Sequence, residues 1–249
     1  MIEISNTAVL NPFPAPKHDD GRLHPAVIIL PGGGYAFTSP REAQPVATVF
    51  NNLDCTAFVL EYTTYDKNRE TSLELMLGEV EKSIEQIIKN SVGWHLDPNM
   101  ICLCGFSAGG HLAALAGNRF SEQIARMVLC YPALDIGGEN LARPYSLMTE
   151  VKPIEGVSSK TPPTFLWHTY ADEVVSVAGT YRYLSRLVEC GVPCEAHIYQ
   201  EGRHGLSVAT PASAEEPSQI VPQVATWTGL MENWLLSEIP GPFDGKAGS

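Results

Sequence analysis

The pentapeptide Gly105-Phe106-Ser107-Ala108-Gly109 directly follows the apolar run Met100-Ile101-Cys102-Leu103-Cys104. A G-x-S-x-G sequence at a strand-to-helix junction marks a sharp chain reversal. Its small residues tolerate the strained backbone and let the next helix pass close to the strand. The turn lifts one hydroxyl to the top of a sheet, above a helix N-terminus. A serine hydroxyl is a weak nucleophile at neutral pH, so the chemistry needs a base, and the base needs an orienting carboxylate.

Two later segments supply these groups in the order serine, acid, histidine. Asp172 lies in His168-Thr169-Tyr170-Ala171-Asp172-Glu173-Val174-Val175, just after an apolar run. Aspartate also suits the N-cap of the helix expected next, and the two roles are compatible. Glu173 is the neighbouring rival for the acid. His204 lies in Glu201-Gly202-Arg203-His204-Gly205, again just past a strand-like run. His111 sits on the serine's own helix, and His168 and His197 fall within strands, so His204 is the base favoured by chain order.

Acyl transfer also needs donors for the oxygen that becomes negative in the transition state; backbone N–H groups aimed there are worth roughly 10²–10³-fold each. Pro31-Gly32-Gly33-Gly34-Tyr35 follows the run His24 to Leu30. Lacking side chains, these glycines let a substrate oxygen approach the backbone. Gly33 and Gly34, with Ala108 after the serine, are the expected oxyanion donors. A phosphate-binding loop fits less well, because neither G-x-G-x-x-G nor a Walker lysine is present. Tyr35, Tyr131 and Tyr170 stand near strand ends, where they either line the substrate site or pack in the core.

The elements that must position these residues alternate in type. Strands are expected at His24–Leu30, Ala57–Tyr62, Met100–Cys104, Met127–Tyr131, Thr164–Thr169 and Cys194–Tyr199. Helices are expected at Arg41–Asn52, Thr71–Asn90, after Ser107, at Val175–Cys190 and at Gln219–Glu238. The second carries Leu73, Leu77, Val80, Ile84, Ile87 and Ile88 at amphipathic spacing. This alternation predicts an α/β fold with a mostly parallel sheet covered on both faces. Such sheets bind ligands at the C-terminal ends of their strands, where every candidate above falls. Residues 135–161 and 205–218 are long irregular stretches that could roof the site.

At 249 residues the chain suits one large domain, expected over 1–240 with a disordered tail at 241–249. A hydrophobic content of 44% is enough for a substantial core. The net charge of −12 argues against nucleic acid and anionic membranes as partners. No signal peptide or membrane span is apparent. The six cysteines form no zinc-type pairs, and four fall in or beside apolar runs. These features together read as a reducing, cytoplasmic setting, with homo-oligomer formation left open.

With these residues in hand, the chain resembles the α/β-hydrolase-fold serine esterases. The glycine loop resembles the HGGG loop of the hormone-sensitive-lipase group. The combination PGGGY, DPN before the elbow strand, GFSAGGHLAA and a late HG is most similar to the small acetyl esterases related to acetyl-xylan and feruloyl esterases. The similarity runs from His24 to Trp234. It implies Ser107, Asp172 and His204 as the triad, no metal or organic cofactor, and no large cap domain. It also implies a small-molecule ester substrate of acetyl type, acetylated sugars or oligosaccharides among them. Pro31 stands where many relatives carry histidine, and Ser176 where they often carry proline. Amide hydrolysis, as in formamidase-like relatives or a small peptidase, is the alternative on the same triad. A non-catalytic binding protein would have lost a triad residue, and none is lost here.

Overall fold

The computed structural model describes residues 1–16, 21–137 and 141–237. The tail expected at 241–249 and the end of the last expected helix lie outside the described residues. Among the described residues, eight strands form one sheet: β1 (Ile2–Glu3), β2 (Val9–Phe13), β3 (His24–Leu30), β4 (Thr56–Glu61), β5 (Leu96–Phe106), β6 (Arg126–Cys130), β7 (Thr164–Thr169) and β8 (Cys194–Tyr199). Their order across the sheet is β1-β2-β4-β3-β5-β6-β7-β8. From β4 to β8 every pairing is parallel, whereas β1 and β2 add an antiparallel edge.

The helices are α1 (Gln44–Asn51), α2 (Leu73–Trp94), α3 (Ala108–Arg119), α4 (Leu147–Glu150), α5 (Val177–Glu189), α6 (Pro222–Ala225) and α7 (Trp227–Leu236). Alternate strand residues point to opposite faces, so each face builds its own core. Ile28, Leu30, Leu103 and Leu129 pack against α2, α3 and α5. Val27, Ile29, Phe106, Val128 and Trp167 pack against α1, α6 and α7. Cys102 and Cys104 share that second face, as their spacing requires, and all six cysteines are free thiols.

Three expectations need correction. The helix expected from Arg41 is instead a 3₁₀ turn at Pro40–Glu42 followed by α1, because Ala43 adopts φ −102°, ψ −102° between them. The closing helix is likewise broken into a 3₁₀ turn at Pro217–Gln219, then α6 and α7, with prolines opening the first two pieces. The antiparallel edge was not anticipated. Its strands are short, and β2 contains Asn11 and Pro12, which weaken any strand signal.

The two long loops do not form a separate cap among the described residues. In the stretch after 205, Leu206, Val208 and Ala209 are buried in the second core. The described part of 135–161 contains α4 and a 3₁₀ turn at Pro153–Gly156, and it is tied to α3. The His111 Nε2–H donates to the Val151 carbonyl at 2.9 Å, so Nδ1 accepts from the Tyr35 hydroxyl at 2.7 Å. The Asn118 amide donates to the Pro153 carbonyl at 2.9 Å.

His111 is fully buried, and burial holds its pKa down to about 4 from an ordinary 6.5. Between those values the unfolded chain binds a proton that the folded chain refuses, so stability falls as the solution is acidified. The contribution is about 1.4 kcal/mol per pH unit inside that window. Glutamine keeps one donor and one acceptor. Urea midpoints measured from pH 6.5 to 4.5 should therefore fall less steeply for His111→Gln than for the wild-type chain.

Candidate active site

Five strand ends meet at one edge of the sheet, and each delivers one part of the site. Leu30 leads into the glycine loop, Phe106 into Ser107, Cys130 into Tyr131, Thr169 toward Asp172, and Tyr199 toward His204.

Ser107 occupies the elbow at φ 52°, ψ −117°. A non-glycine residue there carries strain on the order of 1–3 kcal/mol. Backbone bonds on both sides hold it. Its N–H donates to the Cys130 carbonyl at 3.0 Å, and its carbonyl accepts from the His111 and Ala133 N–H groups, each at 3.0 Å. The flanking glycines are required by contact. A Cβ on Gly109 would lie 2.0 Å from the Leu30 carbonyl oxygen, and one on Gly105 would lie 2.4 Å from the Gly109 carbonyl oxygen. Helix α3 thus approaches β3 and β5 too closely for any side chain.

The three residues singled out by order are brought together. Ser107 Oγ lies 2.8 Å from His204 Nε2, and His204 Nδ1 lies 2.7 Å from Asp172 Oδ2. The carboxylate fixes the tautomer: Nδ1–H donates to Asp172, leaving Nε2 to accept from the serine hydroxyl. The Asp172 carboxylate also caps its own loop, since Oδ1 accepts from the Val174 and Val175 N–H groups at 2.9 and 2.8 Å. Glu173, the rival acid, is exposed.

Asp172 has a further partner that strand position alone concealed. His168 Nε2–H is shared between Asp172 Oδ2 at 3.1 Å and the Val175 carbonyl at 3.0 Å, while Nδ1 accepts from the Thr180 hydroxyl at 2.8 Å. Burial by itself would raise the Asp172 pKa. The bonds from His168 and His204, the nearby imidazole charge and the Val175 N–H outweigh it and hold the carboxyl well below the usual range. The acid of the relay is therefore ionised at neutral pH.

The glycine loop lies against the nucleophile: a Cβ on Gly32 would be 3.0 Å from Ser107 Cβ. Gly32 N–H is already committed to Glu42 Oε2 at 2.6 Å. Gly33 and Gly34 follow at φ 125° and φ 63°. Ala108 is the first residue of α3, where an N–H has no intrahelical acceptor. The Pro31 carbonyl, just before the glycines, accepts from the Tyr62 hydroxyl at 2.6 Å.

The tyrosine expectation needs correction. Tyr35 is fully buried and bonded to His111, and Tyr131 is also buried, so neither presents a face to a substrate. Tyr170 is exposed. The rings beside the glycines are two others. The Tyr145 ring lies where a Cβ on Gly34 would be 2.5 Å from its Cε1, and the Phe37 ring lies 3.2 Å from the corresponding position on Gly33. Both are about half exposed. Tyr145 comes from an irregular stretch with no periodic signal, so only folding reveals its place.

Known proteins of similar sequence and fold are hydrolases. The profile of the prolyl oligopeptidase family matches residues 81–221. The chain belongs to that family of α/β hydrolases. A second profile, BD-FAE, matches residues 13–131 and so covers the glycine loop and the elbow. A sugar hydrolase, YeeB, from Lactococcus lactis superposes with a TM-score of 0.84 at 32% identity, covering 94% of this chain and 95% of that one. An acetyl ester-xyloside bifunctional hydrolase from Caldicellulosiruptor lactoaceticus superposes at 0.75 with 33% identity, covering 90% of this chain and 86% of that one. The acetylxylan esterase of Xylanibacter ruminicola is 25% identical over 91% of this chain and 48% of its own length. The chain spans about half or less of the curated relatives it matches.

The close approach at the elbow has a measurable consequence. Gly109→Ala should destabilise this α/β hydrolase by about 3 kcal/mol or more, since the added methyl meets rigid backbone. Gly78→Ala in α2, where a Cβ meets nothing within 4 Å, should be neutral or stabilising by about 0.5–1 kcal/mol. Urea denaturation of the two variants checks both.

Proposed function

We propose that this chain is a serine carboxylesterase that cleaves short-chain, acetyl-type esters, including those of acetylated sugars and oligosaccharides. The observation that carries the reading is the continuous relay from Ser107 through His204 to Asp172, at 2.8 and 2.7 Å.

The reaction is a two-step acyl transfer. Ser107 Oγ attacks the ester carbonyl carbon while His204 Nε2 takes the hydroxyl proton. Asp172 stabilises the resulting imidazolium. The carbonyl oxygen, now negative, is held by the N–H groups of Gly33, Gly34 and Ala108. His204 returns the proton to the departing alcohol as the C–O bond breaks. Water then enters, His204 activates it in the same way, and the acid leaves with Ser107 restored. None of these steps requires a cofactor.

Short acyl groups are favoured because, among the described residues, no separate cap domain encloses a long chain. The half-exposed rings of Tyr145 and Phe37 flank the glycines and suit stacking on a sugar face. The names of the Caldicellulosiruptor and Xylanibacter proteins point to acetylated xylose units as a substrate class. Amide cleavage is the second reading, and the prolyl oligopeptidase profile favours it. The same relay serves both bonds, so the difference lies in leaving-group fit.

Ser107→Ala should reduce p-nitrophenyl acetate hydrolysis by at least about 10³-fold and abolish labelling by a fluorophosphonate probe. In the wild-type chain kcat/KM should fall from acetate to decanoate, and acetylated xylo-oligosaccharide should release acetate. Faster turnover of N-formylkynurenine or a peptide p-nitroanilide than of any ester would replace the esterase reading with the amidase one. Near-normal turnover by Ser107→Ala would remove the nucleophile assignment.

A further inference from the structure

A second buried carboxylate sits under the site, and the acyl-transfer steps above do not use it. Glu42 is 4% exposed and ends the 3₁₀ turn before α1. Its Oε2 accepts from the Gly32 N–H at 2.6 Å, and its Oε1 accepts from the Tyr131 hydroxyl at 2.5 Å. The Tyr131 oxygen in turn accepts from the Ser207 N–H at 3.0 Å. The Tyr131 hydroxyl has Glu42 Oε1 as its acceptor, so its own proton points to Glu42. Both Glu42 oxygens therefore act as acceptors, the pattern of a carboxylate rather than a carboxylic acid.

This chain of bonds joins the glycine loop to the loop that follows His204. Gly32 begins the oxyanion loop, and Ser207 stands three residues beyond the base. The Tyr131 ring also meets the His204 ring edge-on, with centroids 5.1 Å apart and planes at 72°. Ser207 is held from two further sides: its hydroxyl donates to the Arg41 carbonyl at 2.6 Å, and its carbonyl accepts from the Trp227 indole at 3.0 Å.

Resting on the acyl-transfer reading, we propose that Glu42 is a positioning residue. Its carboxylate clamps the oxyanion loop at Gly32 and, through Tyr131, the base loop at Ser207. The ionisable groups facing it are Tyr131, His204, Arg41, Tyr62 and Cys130. Burial pushes the Glu42 pKa up, while the Tyr131 and Gly32 bonds and the charges of His204 and Arg41 pull it back. On its far side His204 faces Asp172, which supplies the stronger negative field through direct contact.

Glutamine at this position fits the space but offers only one acceptor to the two incoming donors. Glu42→Gln in the full chain should lower kcat for p-nitrophenyl acetate by about tenfold or more, with KM within about twofold, because the side chain does not reach substrate. Tyr131→Phe keeps the Gly32 bond and breaks the link to Ser207, so kcat should fall there too, with KM again within about twofold. A purely structural residue would lower the melting temperature and leave kcat of the folded protein unchanged. Wild-type kcat in a folded Glu42→Gln protein overturns the proposal. If that variant does not fold, Tyr131→Phe decides, and wild-type kcat there overturns it. If the wild-type chain turns over no ester or amide, the functional reading fails separately. The backbone amide NMR signals of Gly32 and Ser207 in wild type and Glu42→Gln then test the clamp: displaced signals at both support it, and unchanged signals overturn it.

Discussion

The site depends on one close approach, that of α3 to the ends of β3 and β5. The chain must leave β5, turn once and run back beside the strands within a single residue. Ser107 absorbs that turn at φ 52°, and Gly105 and Gly109 vacate the space on either side. The strain at Ser107 is offset by backbone bonds to Cys130, His111 and Ala133 and by the packed interior of α3, which is buried from Ala108 to Gly117. The rigid elbow sets where the hydroxyl stands, and every other group reaches toward that fixed point.

Two buried carboxylates then lie beside the site in different surroundings. Asp172 is surrounded by donors: two imidazole N–H groups and two backbone N–H groups converge on its oxygens. That density of donors overcomes burial and depresses its pKa. Glu42 receives two donors in a fully buried place, and burial prevails in raising its pKa. Direct contact lets Asp172 choose the tautomer of His204. Glu42 is linked to the site at one remove, through its bonds to Gly32 and, by way of Tyr131, to Ser207. The arrangement leaves few freedoms at the serine, consistent with catalysis by preorganised dipoles rather than by movement during the reaction.

Much of this was legible in the chain. Strands β3, β7 and β8 match their expected limits, β3 and β7 as apolar runs and β8 through its apolar positions Ala196 and Ile198 between turn residues. β5 is longer than expected, since Asp97-Pro98-Asn99 near its start is polar and reads as loop. Helix limits were set by caps: Ser72 accepts from the Leu75 N–H to open α2, and Ser176 accepts from the Ala178 N–H to open α5. The breaks around Ala43 and within 217–227 follow from local backbone angles and prolines inside otherwise helical patterns. Glu42 and His168 carried no positional signal, because a lone acid near a helix start and a lone histidine in a strand are common. A search for polar residues inside apolar runs would have drawn attention to His168, in Phe165-Leu166-Trp167-His168, whereas Glu42 lies between Arg41 and Gln44 and gives no such signal.

Residue type and order alone determined the fold class and singled out Ser107, Asp172 and His204 as candidates, because parallel sheets place loop residues at one edge and only certain groups activate a serine. Which oxygens receive which donors was decided by tertiary structure. Hydrogen bonds depend on tenths of an ångström between segments far apart in the chain, and no local pattern encodes such distances. The same holds for the aromatic rings: Tyr35 and Tyr131 turned inward as parts of the frame, and Tyr145 came over Gly34 from an irregular stretch, because the packing of neighbouring loops chose which face of each ring met solvent.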